Sequence, residues 1–224
     1  MKPRVILDMT VTPDGRELVL DRRDDAFTIF VDSEELMWSR TSGSERALAQ
    51  LALDELGSRP TPRILVGGLG MGFTLRATLD ALGPHGKAKV VVAEVFEAVL
   101  EWNRGPLAAL AGHPIDDPRV RVRIQDVWDT VANDGPFDVI LLDVDNGPES
   151  FTLDSNQRLY GARGLGRLHD ALTPGGVLTV WSASDDPRFV RSLRRAGFEA
   201  RSQRVAARVG GKGGKHVVFV ARRR

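Results

Sequence analysis

The residues best suited to chemistry stand where apolar runs end. Ile64-Leu-Val-Gly-Gly-Leu-Gly-Met-Gly-Phe73 breaks a buried-strand pattern into Gly68, Gly70 and Gly72. Glycines at such a turn let backbone amides approach a ligand closely. Glu94 closes the next apolar run, Val90 to Ala93, and an acid about 20 residues beyond the turn can grip both hydroxyls of a ribose. Asp126 follows Val120-Arg-Val-Arg-Ile124. It either accepts from an adenine amino group, with Val127 or Trp128 covering the ring, or caps a helix beginning at Val127. A fourth run, Val139-Ile-Leu-Leu142, leads into Asp143-Val-Asp-Asn-Gly-Pro-Glu149. Asp143 and Asp145 form a polar cluster suited to holding a cationic amine or removing its proton. An Asn-Gly-Pro turn explains Asn146 to Pro148 without chemistry, and Asp138, at the far end of the strand, reads as a structural cap.

Rival chemistries lack their residues. Counted from Gly68 through Gly70, the last position of a dinucleotide fingerprint is Phe73, so the pattern is G-x-G-x-G and hydride transfer is not expected. His85, His113, His169 and His216 show no metal-ligand spacing and read as surface or loop residues, and no metal site is expected. Gly210 to Lys215 is not a P-loop, because His216 stands where Ser or Thr is required. It reads as a hairpin tip or a cover over the pocket. The absence of cysteine removes disulfides, thiolate nucleophiles and zinc-thiolate sites.

The elements that must position these residues follow from periodicity. Arg4 to Val11, Glu17 to Arg22 and Ala26 to Val31 alternate between turn signals and predict a short antiparallel meander. From Ser42 the period becomes helical, with Glu45 placed for a capping box and Leu48, Leu51, Leu53 and Leu56 on one face up to Gly57. Strand-like runs then alternate with helical ones: Arg63 to Val66, Lys89 to Glu94, Val120 to Ile124, Asp138 to Asp143 and Val177 to Trp181. Continuous apolar strands between helices predict a parallel sheet covered on both faces. Asp186-Pro187 starts a further helix, Gly197 ends it, and Phe198 to Val209 pairs with His216 to Ala221 as a hairpin. The predicted fold class is α/β, a class I methyltransferase-like (Rossmann-like), mainly parallel sheet with an antiparallel C-terminal hairpin strand and a small N-terminal β meander. The expected organisation is a meander over 1–40 and a nucleoside-binding domain over 41–224. The 224 residues, 42% hydrophobic, suit one well-packed core with a small appendage. Basic and acidic residues nearly balance, 31 against 30, so no overall field draws the chain to nucleic acid or an anionic membrane. With no secretory signal and no run long enough to span a bilayer, the expected location is the cytoplasm.

Gly68-Leu-Gly-Met-Gly-Phe-Thr-Leu-Arg76, Glu94, Asp117-Pro-Arg-Val120, Asp138-Val-Ile-Leu-Leu-Asp143, Leu159-Tyr160 and Leu172-Thr-Pro-Gly-Gly-Val177 occur in an order that resembles the spermidine/spermine synthases. The resemblance runs from about residue 40 to the end, and the leading meander fits that family's small β domain. It implies an S-adenosylmethionine-type sulfonium donor, or its decarboxylated form, bound by Gly68, Gly70, Gly72, Glu94 and Asp126 with Val127 beside it. It also places Asp143 as the base that deprotonates an attacking amine, with Asp145 next to it. The departures lie in the substrate half. Met71 stands where the family has an aspartate that helps hold the donor's aminopropyl ammonium, and a thioether cannot pair with that charge. Met37-Trp-Ser-Arg40 replaces a Tyr-His or Tyr-Gln pair, and Asp143-Val-Asp145 is one residue short of Asp-x-x-Asp. The resulting expectation is a sulfonium-dependent transferase acting on a small nucleophilic acceptor, with methyl transfer slightly favoured over aminopropyl transfer to an amine. A catalytically silent nucleoside-binding protein is the remaining alternative. The expected partners are that acceptor, an amine among the options, and a second copy in a homodimer, with neither nucleic acid nor membrane.

Overall fold

The computed structural model describes residues 3–12, 15–84, 87–144, 158–211 and 213–224. The chain opens with an antiparallel sheet of four strands in sequential order, β1 (Val5–Val11), β2 (Glu17–Arg23), β3 (Ala26–Val31) and β4 (Glu34–Trp38). Three strands are expected from the alternation, and β4 is the addition. Val31 pairs with Glu34 across a two-residue turn in which Asp32 (φ 47°) and Ser33 (φ 71°) are both left-handed. Positive φ at both central residues matches the twist of flanking strands in tight hairpins, usually through Asn-Gly or Asp-Gly. Asp-Ser reaches the same conformation with a weaker sequence signal.

The second sheet has seven strands in the order β10-β11-β9-β8-β5-β6-β7. Its centre is β5 (Arg63–Gly67), β6 (Lys89–Glu94), β7 (Val120–Ile124), β8 (Phe137–Leu142) and β9 (Leu172–Ser182), with parallel pairing from β7 through to β9. The terminal hairpin, β10 (Phe198–Ala206) and β11 (Lys215–Arg223), inserts β11 antiparallel beside β9. The mainly parallel sheet with one reversed strand is therefore as expected. Strand order reverses between β5 and β8, and ligands bind beyond the carboxyl ends of strands at such a point.

Six described helices flank the sheet: α1 (Gly43–Leu56), α2 (Phe73–Leu82), α3 (Glu97–Arg104), α4 (Val127–Asn133), α5 (Ala162–Asp170) and α6 (Pro187–Arg195). Alternate residues of each strand serve opposite faces. Ile64, Val66, Val139 and Leu141 pack with Leu48 of α1, Leu75 of α2 and Trp102 of α3. Leu65, Ile140 and Leu142 pack with Val131 of α4, Leu165 of α5 and Leu193 of α6. The small sheet adds Leu18, Leu20, Ile29 and Val31 to the first of these clusters.

The predicted capping box at the start of α1 does not form. Ser42 makes no side-chain cap. Glu45 instead turns inward and is 7% exposed, with Oε2 accepting from the Ser44 hydroxyl at 2.7 Å. The Gly43 N–H is satisfied by the Ala207 carbonyl at 2.9 Å, so the residue that follows β10 does the work a side-chain cap would have done. The cap expected at Asp186 is present, accepting from Arg188 N at 2.7 Å. Asp138 is structural as expected, accepting from Arg63 N at 2.9 Å and the Thr173 hydroxyl at 2.8 Å. Among the described residues no helix is long and apolar enough to cross a membrane.

Candidate active site

The glycine turn after β5 is held from three sides. Gly68 N donates to the Ala93 carbonyl and Asp143 N to the Gly67 carbonyl, both at 2.9 Å, while Asn103 Nδ2 donates to the Gly70 carbonyl at 2.8 Å. Gly68 has φ +90°, and a Cβ there would collide with the Asp143 carbonyl. Gly70 has φ +49°, and a Cβ would fall 2.5 Å from Met37 Sδ. The turn therefore needs glycine both for its left-handed backbone and for the close approach of β8 and β4. Gly72, also left-handed, is the N-cap of α2.

Glu94, at the end of β6, faces this turn. Its Oε2 accepts from Leu69 N at 3.0 Å, and its Oε1 from Val95 N at 2.8 Å and Phe96 N at 2.9 Å. Burial raises its proton affinity against those backbone amides, which favour the ionised form. The carboxylate thus braces the loop while lining the cavity, with Oε1 taken up by two amides and Oε2 carrying the remaining lone-pair capacity. Of the two readings of Asp126, the helix cap is present. Asp126 caps α4, with Oδ1 accepting from Trp128 N at 2.7 Å, and it lines the cavity beside Val127 while Oδ2 pairs with Arg158 at 2.7 Å. Trp128 stands outside the lining, under the guanidinium groups of Arg158, Arg163 and Arg167. Of the two, Val127 is the one that lines the cavity.

Asp143 lies one residue beyond β8, and its Oδ2 accepts from the Thr74 hydroxyl of α2 at 2.6 Å. Burial pushes its carboxyl up to about 6, against the favourable Thr74 bond. Glu45 reaches the same cavity from α1 and is pushed up to about 8, first by burial and then by the charge of Asp143. The Ser44 hydroxyl that donates to Glu45 also lies 2.9 Å from Nδ1 of His216. His216 packs edge-on against Trp181 and is driven toward its neutral form by burial. Trp181 Nε1 is buried without a hydrogen-bond partner among the described residues.

These groups surround one cavity of about 360 Å³ at the carboxyl ends of β5, β6 and β8, within the size range of small-molecule sites. Glu35, Leu36, Met37 and Trp38 wall it from β4. Five carboxylates (Glu35, Glu45, Glu94, Asp126 and Asp143) face it, and among the described residues no lysine or arginine lines it. Among the described residues no group of three or more His, Asp or Glu is arranged to hold a metal.

Several predicted site residues therefore converge: Gly68, Gly70, Glu94, Asp126, Val127 and Asp143 all line the cavity. Gly72 and Met71 do not: Gly72 packs against Asn103, Pro114 and Ala111, and the Met71 side chain is fully buried in the core cluster that includes Leu75 and Trp102, because the left-handed residues on either side turn it inward. Met71, at the position of a donor-binding aspartate in the resembled family and so counted among the cofactor-binding positions, is corrected accordingly: its side chain points away from the cavity. His216, expected on the surface, is instead a wall residue, because β11 runs beside β9 and brings it against Trp181. Glu45 and Glu35 are the site residues that the linear pattern does not reveal: the capping spacing masks Glu45, and β4, which carries Glu35, has only a weak turn signal before it. Asp145 lies outside the described residues.

No family model matches the chain. The polyamine aminopropyltransferase of Aeropyrum pernix is 30% identical over 188 residues, covering 78% of this chain and 50% of that protein. The spermidine synthase of Thermotoga maritima superimposes with a TM-score of 0.71 at 20% identity, over 98% of this chain and 73% of the other. A spermidine synthase in complex with the transition-state analogue AdoDATO gives 0.69 at 19% identity, over 98% and 72%. The fold is therefore the class I methyltransferase-like fold in the form that spermidine synthases share. The chain resembles those proteins in sequence as well as in architecture, and it spans about half the length of the curated relative from Aeropyrum pernix.

Proposed function

We propose that this chain is an aminopropyltransferase of the spermidine-synthase kind, taking a decarboxylated S-adenosylmethionine-type donor and a small amine acceptor. The observation that carries the reading is the cavity wall itself, five carboxylates with no lysine or arginine among the described residues. Such a wall favours cationic chains and opposes a donor that still carries its own carboxylate. Met71, the residue that favours methyl transfer in the sequence, lies in the core and does not report on the donor. The names of the relatives also support the aminopropyl alternative over the methyl reading. In this reading residues 1–40 form the cover and 41–224 the nucleoside-binding unit.

The glycine turn and Glu94 hold the nucleoside, Val127 flanks its ring, and Asp143 holds the acceptor nitrogen and takes its proton. That nitrogen forms a bond to the propyl carbon as the carbon–sulfur bond breaks, and the sulfur leaves with the bonding pair as a neutral thioether. Alignment supplies much of the acceleration in such a displacement. A carboxyl with proton affinity near the working pH is well matched to removing the proton.

The test is a paired incubation of the protein with a diamine and either donor, followed by mass spectrometry. Aminopropylated diamine and methylthioadenosine should form from the decarboxylated donor alone. Methylated product from the intact donor would establish methyl transfer instead, and no product with either would favour a silent nucleoside-binding protein.

A further inference from the structure

Glu45 has no place in the roles assigned so far. It is about nine-tenths buried, it lines the cavity from the first turn of α1, and neither it nor Asp143 pairs with a lysine or arginine among the described residues. An ionised carboxylate withdrawn from water without a counter-charge is unfavourable, and two facing one cavity are more so. The group nearest to compensating it is His216, reached only through the Ser44 hydroxyl, and burial favours its neutral form. The same cavity wall carries apolar and aromatic side chains, Ile29, Leu36 and Trp181 among them. Such a wall suits an alkyl chain, and its charged end suits a single organic cation.

We infer that Glu45 is a specificity-determining carboxylate that, with Asp143, holds a primary alkylammonium lacking an adjacent carboxylate. The inference deepens the transferase reading and rests on it for the identity of the ligand. The ammonium has two possible sources, the aminopropyl tail of the donor and the far end of the amine acceptor. Ser44 orients the carboxylate, and His216 orients Ser44 from β11.

The experiment is calorimetric titration of wild type and Glu45→Gln, which keeps the side-chain shape and the Ser44 contact. Methylthioadenosine, which has no ammonium, should bind both proteins equally and certifies an intact nucleoside site. Decarboxylated S-adenosylmethionine probes the donor source. The pair 1,4-diaminobutane and ornithine, which differ by one carboxylate, probes the acceptor source. Glu45→Gln should weaken the decarboxylated donor, the diamine, or both by at least tenfold, and the affected arm identifies the source. In the diamine arm the wild-type preference for 1,4-diaminobutane over ornithine should shrink by the same factor. Unchanged affinities in both arms would overturn the role of Glu45 while leaving the transferase reading in place. If wild type binds neither cationic probe, the inference falls as well. If methylthioadenosine alone fails to bind wild type, the nucleoside reading falls, and the diamine arm still decides the fate of Glu45.

Discussion

Glu94 and Asp143 divide the labour of the site, so substitutions at the two should separate binding from chemistry. Glu94 accepts from three described backbone amides, so truncation to alanine would loosen the glycine turn as well as remove a ligand contact. Glu94→Gln is the cleaner change. Losing one charge-assisted hydrogen bond, about 1.5–3 kcal/mol, should weaken methylthioadenosine binding by about 10- to 100-fold. Asp143→Asn should leave that affinity within about twofold while slowing single-turnover transfer by ~10²–10⁴. Equal rates for wild type and Asp143→Asn would make Asp143 structural. Asp145 would then be the next group to test.

The same carboxyls give the unliganded protein a defined pH response. Glu45 and Asp143 hold their protons more tightly when folded, toward about 8 and about 6, so the folded state binds more protons than the unfolded chain above about pH 4. Their contribution to stability is complete below the unfolded values and is lost as pH rises through 6 to 8. Thermal unfolding should therefore shift to lower temperature between pH 5 and pH 8, and Glu45→Gln should flatten that decline. A Tm that rises over this interval in both proteins would show that the pair ionises without penalty.

At the level of elements, the site depends on how closely β5, β8 and β4 meet. Gly68 is blocked by a backbone carbonyl of Asp143, whereas Gly70 faces the flexible end of Met37. Both have positive φ, so alanine at either carries a strain of about 1–2 kcal/mol. Only at Gly68 must backbone also move. Gly68→Ala should lower Tm clearly further than Gly70→Ala, at about 2–4 °C for each kcal/mol in a chain of this size. Equal Tm values would mean that the Gly68 turn relaxes without displacing β8.

For the molecule as a whole, the small sheet and the seven-stranded sheet share one apolar cluster. Leu18, Leu20, Ile29 and Val31 pack in the same core as Leu48 and Leu75, and Met37 lies over the glycine turn. Deleting residues 1–40 would bare that face, and burial of each such side chain is worth about 1.5–3 kcal/mol. The deletion variant should lose its cooperative thermal transition, followed by circular dichroism. A soluble variant with a sharp transition would show that residues 41–224 fold alone.

Much of this architecture is legible in the linear order because it is local. Continuous apolar strands, glycines after β5, an acid closing β6 and the aspartate after β8 together dictate a doubly covered sheet with a polar rim. The terminal hairpin follows from alternation around Gly210 to Lys215. What escapes that reading depends on contacts distant in sequence. Glu45 has the spacing of a capping residue, and only the packing of α1 against the β10–β11 hairpin satisfies the helix end otherwise and frees the side chain for the cavity. Met71 reads as a ligand position until the left-handed turns around it aim its side chain into the core. His216 becomes a wall residue because β11 is inserted beside β9, and β4 is betrayed only by two positive φ angles that Asp32 and Ser33 do not advertise. Periodicity and turn chemistry determine which elements form. The direction a polar side chain faces, and whether a counter-charge awaits it there, is settled only when those elements pack.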